Sequence, residues 1–304
     1  MKTLEPVAFL NHRWIPASAA AISVGDAGFI QGAAIAEQLR TFGGRMFQLD
    51  AHFDRLFHSL EIVGLAPDVS REQLARTAEE LVARNHPLLP TGADLGVSIV
   101  ITPGSYPNYA ASELPKPTVC LHTYPLPFFR WARKYREGQS LRTTDVEQVS
   151  PRCWPPSLKC RSRMHYYLAD RQAAAVEPPS RALLLDAQRF VTEASTANIA
   201  AYRAEEGLVL PPAEKVLPGV SLAATVAMAG QLGHAVVQRD QTVDQLVAVD
   251  ELFLTSTPFC LLPVVQLNGR PIGDGRPGPM FRQLIAAWNQ RVGLDIVRQA
   301  ELFS

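Results

Sequence analysis

PPSLKCRSRMHYYLADRQA, residues 155–173, sets one lysine into a chain that takes most of its basic residues as arginine. Only five lysines stand in the sequence: Lys2, Lys116, Lys134, Lys159 and Lys215. A guanidinium stays protonated and is a poor nucleophile, whereas an ammonium can lose its proton when buried. Lys159 is therefore either a nucleophile or a solvated charge, and the rest of the chain has to decide between them.

At 304 residues with 47% hydrophobic content, the chain can fill one large or two ordinary domains around a buried core. Lys+Arg and Asp+Glu are equal at 29 each. No global field draws such a protein onto nucleic acid or an anionic membrane, so a small-molecule partner is expected. Its apolar runs fall far short of the roughly 20 residues that span a bilayer. The opening MKTLEPVAFLNHRW lacks the basic start and long apolar stretch of a signal peptide, and a cytoplasmic protein is expected. Cys120, Cys153, Cys160 and Cys260 form no CxxC pair and no matching His spacing, so they read as reduced thiols, with neither a metal site nor a disulfide framework.

Outward from the lysine segment, the first half reads as a sheet with helices. PVAFLNHRWIPA (6–17) has hairpin character, and AEQLRTFGGRMFQL (36–49) reads as two strands around Gly43-Gly44. Asp50 is placed to N-cap a helix in which Phe53, Leu56, Phe57, Leu60 and Val63 recur at helical spacing, and REQLARTAEELVARN (71–85) gives a second helix. PTVCLHTY (117–124) reads as a strand. PLPFFRWARKYREG mixes prolines, aromatics and charges without periodicity. The expected organisation is thus a small domain over 1–123, a linker over 124–136 and a larger domain over 137–304.

In the second half Met164, Tyr167, Leu168, Ala174 and Ala175 line up as one helical face. RALLLDAQRFVTEAS (181–195) and NIAAYRAEEGLVLPP (198–212) read as hairpins. PGVSLAATVAMAGQLG reads as a helix from near Val220 to Gly233. Strands follow in HAVVQRD, DELFLTST and LPVVQLNGRPI, the last turning at Asn268-Gly269, and a helix runs through PMFRQLIAAWNQRVG.

Taken alone, Lys159 reads as a solvated side chain. Glu193, in FVTEASTANI, ends an apolar strand and enters a small polar turn, where a carboxylate could face a cleft. LPGVSLAATV (217–226) offers a glycine turn and a helix start, whose free N–H groups and dipole suit a phosphate.

The order of the segments carries more than any one of them: SVGDAGFIQGAAIAEQLRTFGGRMFQLDAHFDRLFHSL (23–60), LKCRSRMHYYLADRQA (158–173), LLLDAQRFVTEASTANI (183–199), LPGVSLAATV and DELFLTSTPFCLLPVV (250–265). Over nearly its whole length the chain resembles the class IV, fold-type IV enzymes that use pyridoxal phosphate, among them branched-chain aminotransferases, D-amino-acid aminotransferases and aminodeoxychorismate lyases. The resemblance implies a two-domain α/β (α+β) fold, with a small N-terminal α/β domain and a larger domain built on a β-barrel-like core. It implies a homodimer acting on amino acids and 2-oxo acids. It makes Lys159 the Schiff-base lysine, and Glu193 the carboxylate that keeps the pyridine nitrogen protonated. Arg55, on the polar side of its helix, matches the phosphate-binding arginine. Val220 and Ser221 match the helix-start residues at the phosphate, and Thr257 a hydroxyl donor to it.

Some positions depart from the family pattern. Arg163 stands where branched-chain enzymes place a tyrosine on the cofactor's phenolic oxygen; Tyr166 and Tyr167 lie farther along and read as packing. Period-two geometry puts Ala36, Gln38 and Arg40 on the strand face that lines the substrate pocket in the family. The family often has an aromatic where Ala36 stands, so alanine leaves more room, while Arg40 is a candidate for a substrate carboxylate. Pro258 has no N–H to offer that carboxylate, and Pro103, in ITPGSYPNYAAS (101–112), replaces the arginine of D-amino-acid enzymes. The expected activity is transamination through a pyridoxamine intermediate, with a pyruvate-releasing lyase as the alternative.

Overall fold

The computed structural model describes residues 5–109, 116–177 and 179–304. Backbone contacts divide the chain into Met1–Leu126 with Leu158–Ser162, and Pro127–Ser157 with Arg163–Ser304.

The first unit starts with a hairpin of β1 (Val7–Leu10) and β2 (Arg13–Pro16), whose turn residues Asn11 and His12 have φ of 45° and 64°. These left-handed values match the twist of a two-residue hairpin turn. A short helix, α1 (Ala27–Ile30), is capped by the Asp26 side chain. β3 (Ile35–Phe42) turns through Gly43-Gly44 into β4 (Arg45–Met46). α2 (Leu49–Ile62) and α3 (Arg71–Asn85) follow, then β5 (Leu95–Thr102) and β6 (Thr118–Pro125). The sheet order is β2-β1-β6-β5-β3-β4. Leu56, Leu60, Leu74 and Leu81 of the two helices pack with Ile35, Leu39, Val97 and Ile99 of the sheet, so the helical and alternating apolar patterns bury the same core.

α3 opens on a Ser70/Gln73 capping box. α2 differs from expectation. Its cap position is Gln48, in the left-handed region at φ 51° and without a side-chain cap bond, while Asp50 sits inside the first turn. There its carboxylate meets the positive end of the helix dipole without capping an N–H.

Residues 158–162 belong to this first unit through the backbone. Cys160 bridges Ile35, the Ala36 N–H donates to the Lys159 carbonyl (3.0 Å), and the Arg161 N–H donates to the Ala34 carbonyl (2.8 Å).

In the second unit the segment read as a linker forms a 3-10 turn at Phe128–Arg130 and α4 (Lys134–Glu137), with Phe128, Trp131 and Tyr135 buried. β7 (Gln139–Thr143) and α5 (Met164–Val176) follow. β8 (Arg181–Leu185) pairs with β9 (Val191–Ala194), and β10 (Asn198–Arg203) pairs with β11 (Gly207–Leu210). Next come α6 (Val220–Gln231), β12 (Val236–Gln238), α7 (Val243–Val247), β13 (Glu251–Ser256), β14 (Cys260–Leu267), β15 (Arg270–Pro271), α8 (Pro279–Val292) and α9 (Ile296–Leu302). The strand path is β12-β11-β10-β13-β14-β7-β8-β9, with β15 beside β14. The chain leaves β9, at one end of this path, and enters β10, well inside it, through a tight turn bridged between Ala194 and Ala197. The sheet is accordingly a curled half-barrel.

The face expected of α5 is reversed. Met164 and Tyr167 are 68% and 59% exposed, Leu168 is exposed too, and Ala169 and Ala173 are the buried residues, packed with Ala182 and Leu184. Alanine has no side chain beyond Cβ, so the helix lies close on β8 through its small residues, with Tyr166 beside them, and leaves Met164, Tyr167 and Leu168 outside.

Candidate active site

In the first unit, alternation along β3 puts Glu37 on the same face as Ile35 and Leu39, turned toward α2. Glu37 is fully buried and receives a forked pair from Arg55: Nε donates to Oε2 at 3.0 Å and Nη2 to Oε1 at 2.7 Å. His52 Nδ1 lies 3.0 Å from Glu37 Oε1. Burial pushes the Glu37 carboxyl up, yet the Arg55 guanidinium, the His52 bond and the nearby Lys159 charge together hold it well below its ordinary value. His52 is lowered from its ordinary value, first by burial, against the raising effect of its contact with Glu37, and its Nδ1 also lies 3.3 Å from Arg55 Nη2.

Lys159 is anchored beside this cluster. Its N–H donates to Ser59 Oγ at 3.2 Å, its carbonyl accepts from Ala36, and Ser59 Oγ donates to the Arg55 carbonyl at 2.9 Å. One side of α2 thus presents His52, Arg55 and Ser59 to the strand and the lysine. Arg55 is not on a polar helix side: it is buried, because Glu37 supplies the counter-charge that makes burial of a guanidinium tolerable. Arg40 is no surface arginine either. It is 2% exposed, stacks at 4.0 Å over the Phe42 ring and donates from Nε to the Thr41 carbonyl at 3.2 Å. Ala36 is buried and Gln38 half-buried on the same strand face. In the stretch 101–112, Thr102 Oγ1 donates to Asp26 Oδ2 at 2.9 Å, and residues 110–112 lie outside the described residues.

In the second unit Glu193 is buried at the end of β9. Its Oε1 accepts from Gln148 Nε2 at 2.6 Å and from the Tyr166 hydroxyl, and its Oε2 accepts from the Leu217 N–H at 3.3 Å. Burial, then the Glu193 charge and hydrogen bond, push the Tyr166 hydroxyl well above its ordinary value. Tyr166 packs against the Ala169, Ala173, Ala182 and Leu184 cluster, as expected, and is in addition a neutral donor to a carboxylate. The Leu217 carbonyl accepts from Asn198 Nδ2 at 2.8 Å, and two residues on, Gly219 opens α6 with no side-chain cap bond. A Cβ at Gly219 would overlap Asn198 Oδ1. Val220 and Ser221 are buried in the first turn. Thr255, paired with Asn198 across β13 and β10, keeps a buried Oγ1 with no partner among the described residues. Thr257 and Pro258 follow in the turn before β14. Arg163 occupies the N-cap position of α5, where its charge lowers the pKa of His165 after burial and acts on Tyr166.

Among the described residues no group of three or more His, Cys, Asp or Glu converges to hold a metal ion, and no helix is long and apolar enough to cross a membrane. Glu37, His52, Ser59, Gln148 and Tyr166 were not legible as site residues. The one signal for Glu37 was a carboxylate between Ile35 and Leu39 at strand spacing, a position that only a buried partner explains.

Comparison with known proteins bears on what this arrangement does. The pattern of the family described as amino-transferase class IV matches residues 34–267. A D-alanine aminotransferase of Bacillus licheniformis is 27% identical over 282 residues, covering 91% of this chain and 94% of that protein. A putative branched-chain-amino-acid aminotransferase of Methanocaldococcus jannaschii is 26% identical, covering 91% of this chain and 93% of that protein. The structure of a T.th. branched-chain amino acid aminotransferase with pyridoxamine 5'-phosphate superposes with a TM-score of 0.84 over 95% of each chain at 23% identity, a likeness of fold.

Proposed function

Because the chain belongs to the class IV aminotransferases, enzymes that use pyridoxal phosphate, we propose that it moves an amino group from an amino acid to a 2-oxo acid with Lys159 as the reacting amine. The observation that carries this reading is the anchoring of Lys159: its backbone is tied both to β3 and to Ser59 of α2, beside the buried Glu37, His52 and Arg55.

The residues fit the cofactor. Gly219 leaves the start of α6 uncapped and the neighbouring Thr255 hydroxyl is an orphaned buried donor, which together suit a phosphate. The start of α8 makes the contrast, since its N–H groups of Met280 and Phe281 are already taken by Glu251 at 2.6 and 2.9 Å. When bound, pyridoxal phosphate supplies an aldehyde and a ring that takes up the electron pair left by a departing α-proton. In this reading Lys159 supplies the amine and carries that proton. Glu193, oriented by its three donors, accepts the pyridine N–H. The N–H groups of Val220 and Ser221, the Thr257 hydroxyl and the Arg55 guanidinium take the phosphate. Arg163, close in charge to Tyr166, supports the ring end, while Ala36, Gln38, Arg40 and the turn at Pro258 bound the substrate. Four cysteines spread through the chain without a disulfide-framework spacing support a reducing, cytoplasmic setting.

The test is a half-reaction. Purified protein with its cofactor, given D-alanine or a branched-chain L-amino acid and no acceptor, should release one 2-oxo acid per chain and then stop until an acceptor is added. Continuous pyruvate release from a larger carboxylated substrate would establish the lyase reading instead. Release of product by Lys159→Ala would overturn the assignment of the amine.

A further inference from the structure

A cluster of cations in the second unit has no part in the reaction above. Arg130 and Trp131 lie at the 3-10 turn, Lys134 opens α4, and Ser180 and Arg181 lead into β8. The Phe259 ring ties them together: the Arg181 guanidinium carbon stands 5.6 Å from its centroid, and the Trp131 ring 6.4 Å from it. Gln139 ties the other end, accepting from Lys134 Nζ and donating at 3.4 Å to the carbonyl of Pro179, next to Ser180.

Three donors of this patch, Trp131 Nε1, Ser180 Oγ and Arg181 Nη1, are buried without a partner among the described residues. Trp131 and Ser180 are themselves more than nine-tenths buried. Among the described residues Asp170 is the carboxylate whose charge acts on Lys134 and Arg181, raising both against their burial; its Oδ1 accepts from the Ala182 N–H at 3.0 Å and the Ser195 hydroxyl at 2.6 Å, and it forms no ion pair with either cation. Neither arginine nor the lysine forms an ion pair with any described residue. Burial, then Arg181 and Arg130, hold Lys134 down at about 8, and burial lowers Arg181 as well. Like charges facing one another over unsatisfied donors are costly as they stand. An anion with several acceptor oxygens would relieve both costs at once.

We propose that Arg181, Lys134, Trp131 and Ser180 form a binding site for a small oxyanion or carboxylate, with Arg130 at its rim. Arg181 and Lys134 supply charge, Trp131 and Ser180 neutral donors, and the ring of Phe259 holds the guanidinium in place. The site is independent of the cofactor's phosphate, which the start of α6 and the residues around it would hold.

The test uses the holoenzyme, so that the phosphate site is filled. Sulfate and, separately, acetate are titrated at constant ionic strength against chloride, with binding read by calorimetry and by thermal midpoint. The expected result is saturable binding of at least one of them. Sulfate alone would mark a tetrahedral oxyanion as the ligand, and acetate alone a carboxylate. Arg181→Met should weaken binding at least tenfold, and Trp131→Phe, which keeps the ring and loses the donor, several-fold. Affinity should fall as pH rises through about 8, by up to tenfold per unit, because binding then requires Lys134 to take up a proton. Lys134→Met should abolish that pH dependence, with Arg130, Arg181 and Asp170 the charged groups that remain around it. No saturable binding of either anion, or equal binding by parent and Arg181→Met, would overturn the proposal. Should Arg181→Met not fold, Trp131→Phe and the pH series decide it by the same criteria.

Discussion

Glu37 is the residue whose removal is expected to do most at the smallest scale. It is buried between Arg55 and His52, and everything Arg55 presents depends on its counter-charge. Glu37→Gln keeps the shape and removes the carboxylate charge on which the buried Arg55 guanidinium is forked, at a cost of about 3 kcal/mol of stability, measurable by urea unfolding. The pH dependence has a definite sign. The folded value is depressed below the ordinary 4.5, so the stabilisation is complete above about pH 4.5 and is lost as pH falls from there toward the folded value. The stability difference between parent and Glu37→Gln should therefore be flat from pH 5 to 8 and shrink below 4.5. A difference that grows on acidification would show that Glu37 is not held ionised. Lys159 and Glu193 could be singled out as candidates in the sequence only through the order of the segments that carry the family resemblance. Glu37 and Tyr166 could not, because their importance comes from a partner 18 and 27 residues away, which only the fold brings close.

At the scale of elements the alternating and helical patterns located β1 to β4, α2, α3, α6 and α8 well, since apolar spacing reports directly which side of an element is buried. α5 escaped that logic: it packs by its alanines, with Tyr166 beside them, and Met164, Tyr167 and Leu168 mark the outer face. The place of residues 158–162 was illegible for a different reason, because it rests on backbone bonds to β3 that leave no trace in side-chain pattern. α6 offers the test at this scale. Its N-terminus is kept open by Gly219, where a Cβ would strike Asn198 and displace the side chain that holds Leu217, itself a donor to Glu193. Gly219→Ala should weaken cofactor binding by roughly ten- to hundredfold, the loss of one or two hydrogen bonds worth about 1–3 kcal/mol. The effect should appear in a pyridoxal phosphate titration followed by absorbance, with turnover restored when cofactor is in excess. Parent-like affinity in Gly219→Ala would remove the start of α6 from the phosphate site.

At the scale of the whole molecule the exposed side of α5 bears on assembly. Met164, Tyr167, Leu168 and Val176 stand in water on one helix, with Met164, Tyr167 and Leu168 spaced as one stripe. We propose that this stripe, which carries Arg171 beside the Tyr167 ring at 5.8 Å, is met by the same stripe of a second copy of the chain. In a two-fold pair the same patch meets itself, so one substitution acts twice. Each large side chain taken out of water contributes about 1.5–3 kcal/mol. Leu168→Glu places two like charges at the seam in addition to removing two leucines. It should raise the dimer dissociation constant at least a hundredfold, which is about 2.7 kcal/mol. Sedimentation across a dilution series reads this directly: the parent should stay at twice the chain mass where Leu168→Glu sediments as a monomer. Because Leu168 points away from β8, the thermal midpoint of the monomeric variant should shift only as far as loss of the partner requires, and it should cease to depend on protein concentration. A parent that sediments as a monomer at every concentration, or a Leu168→Glu dimer as tight as the parent's, would show that this side of α5 is not where two copies meet.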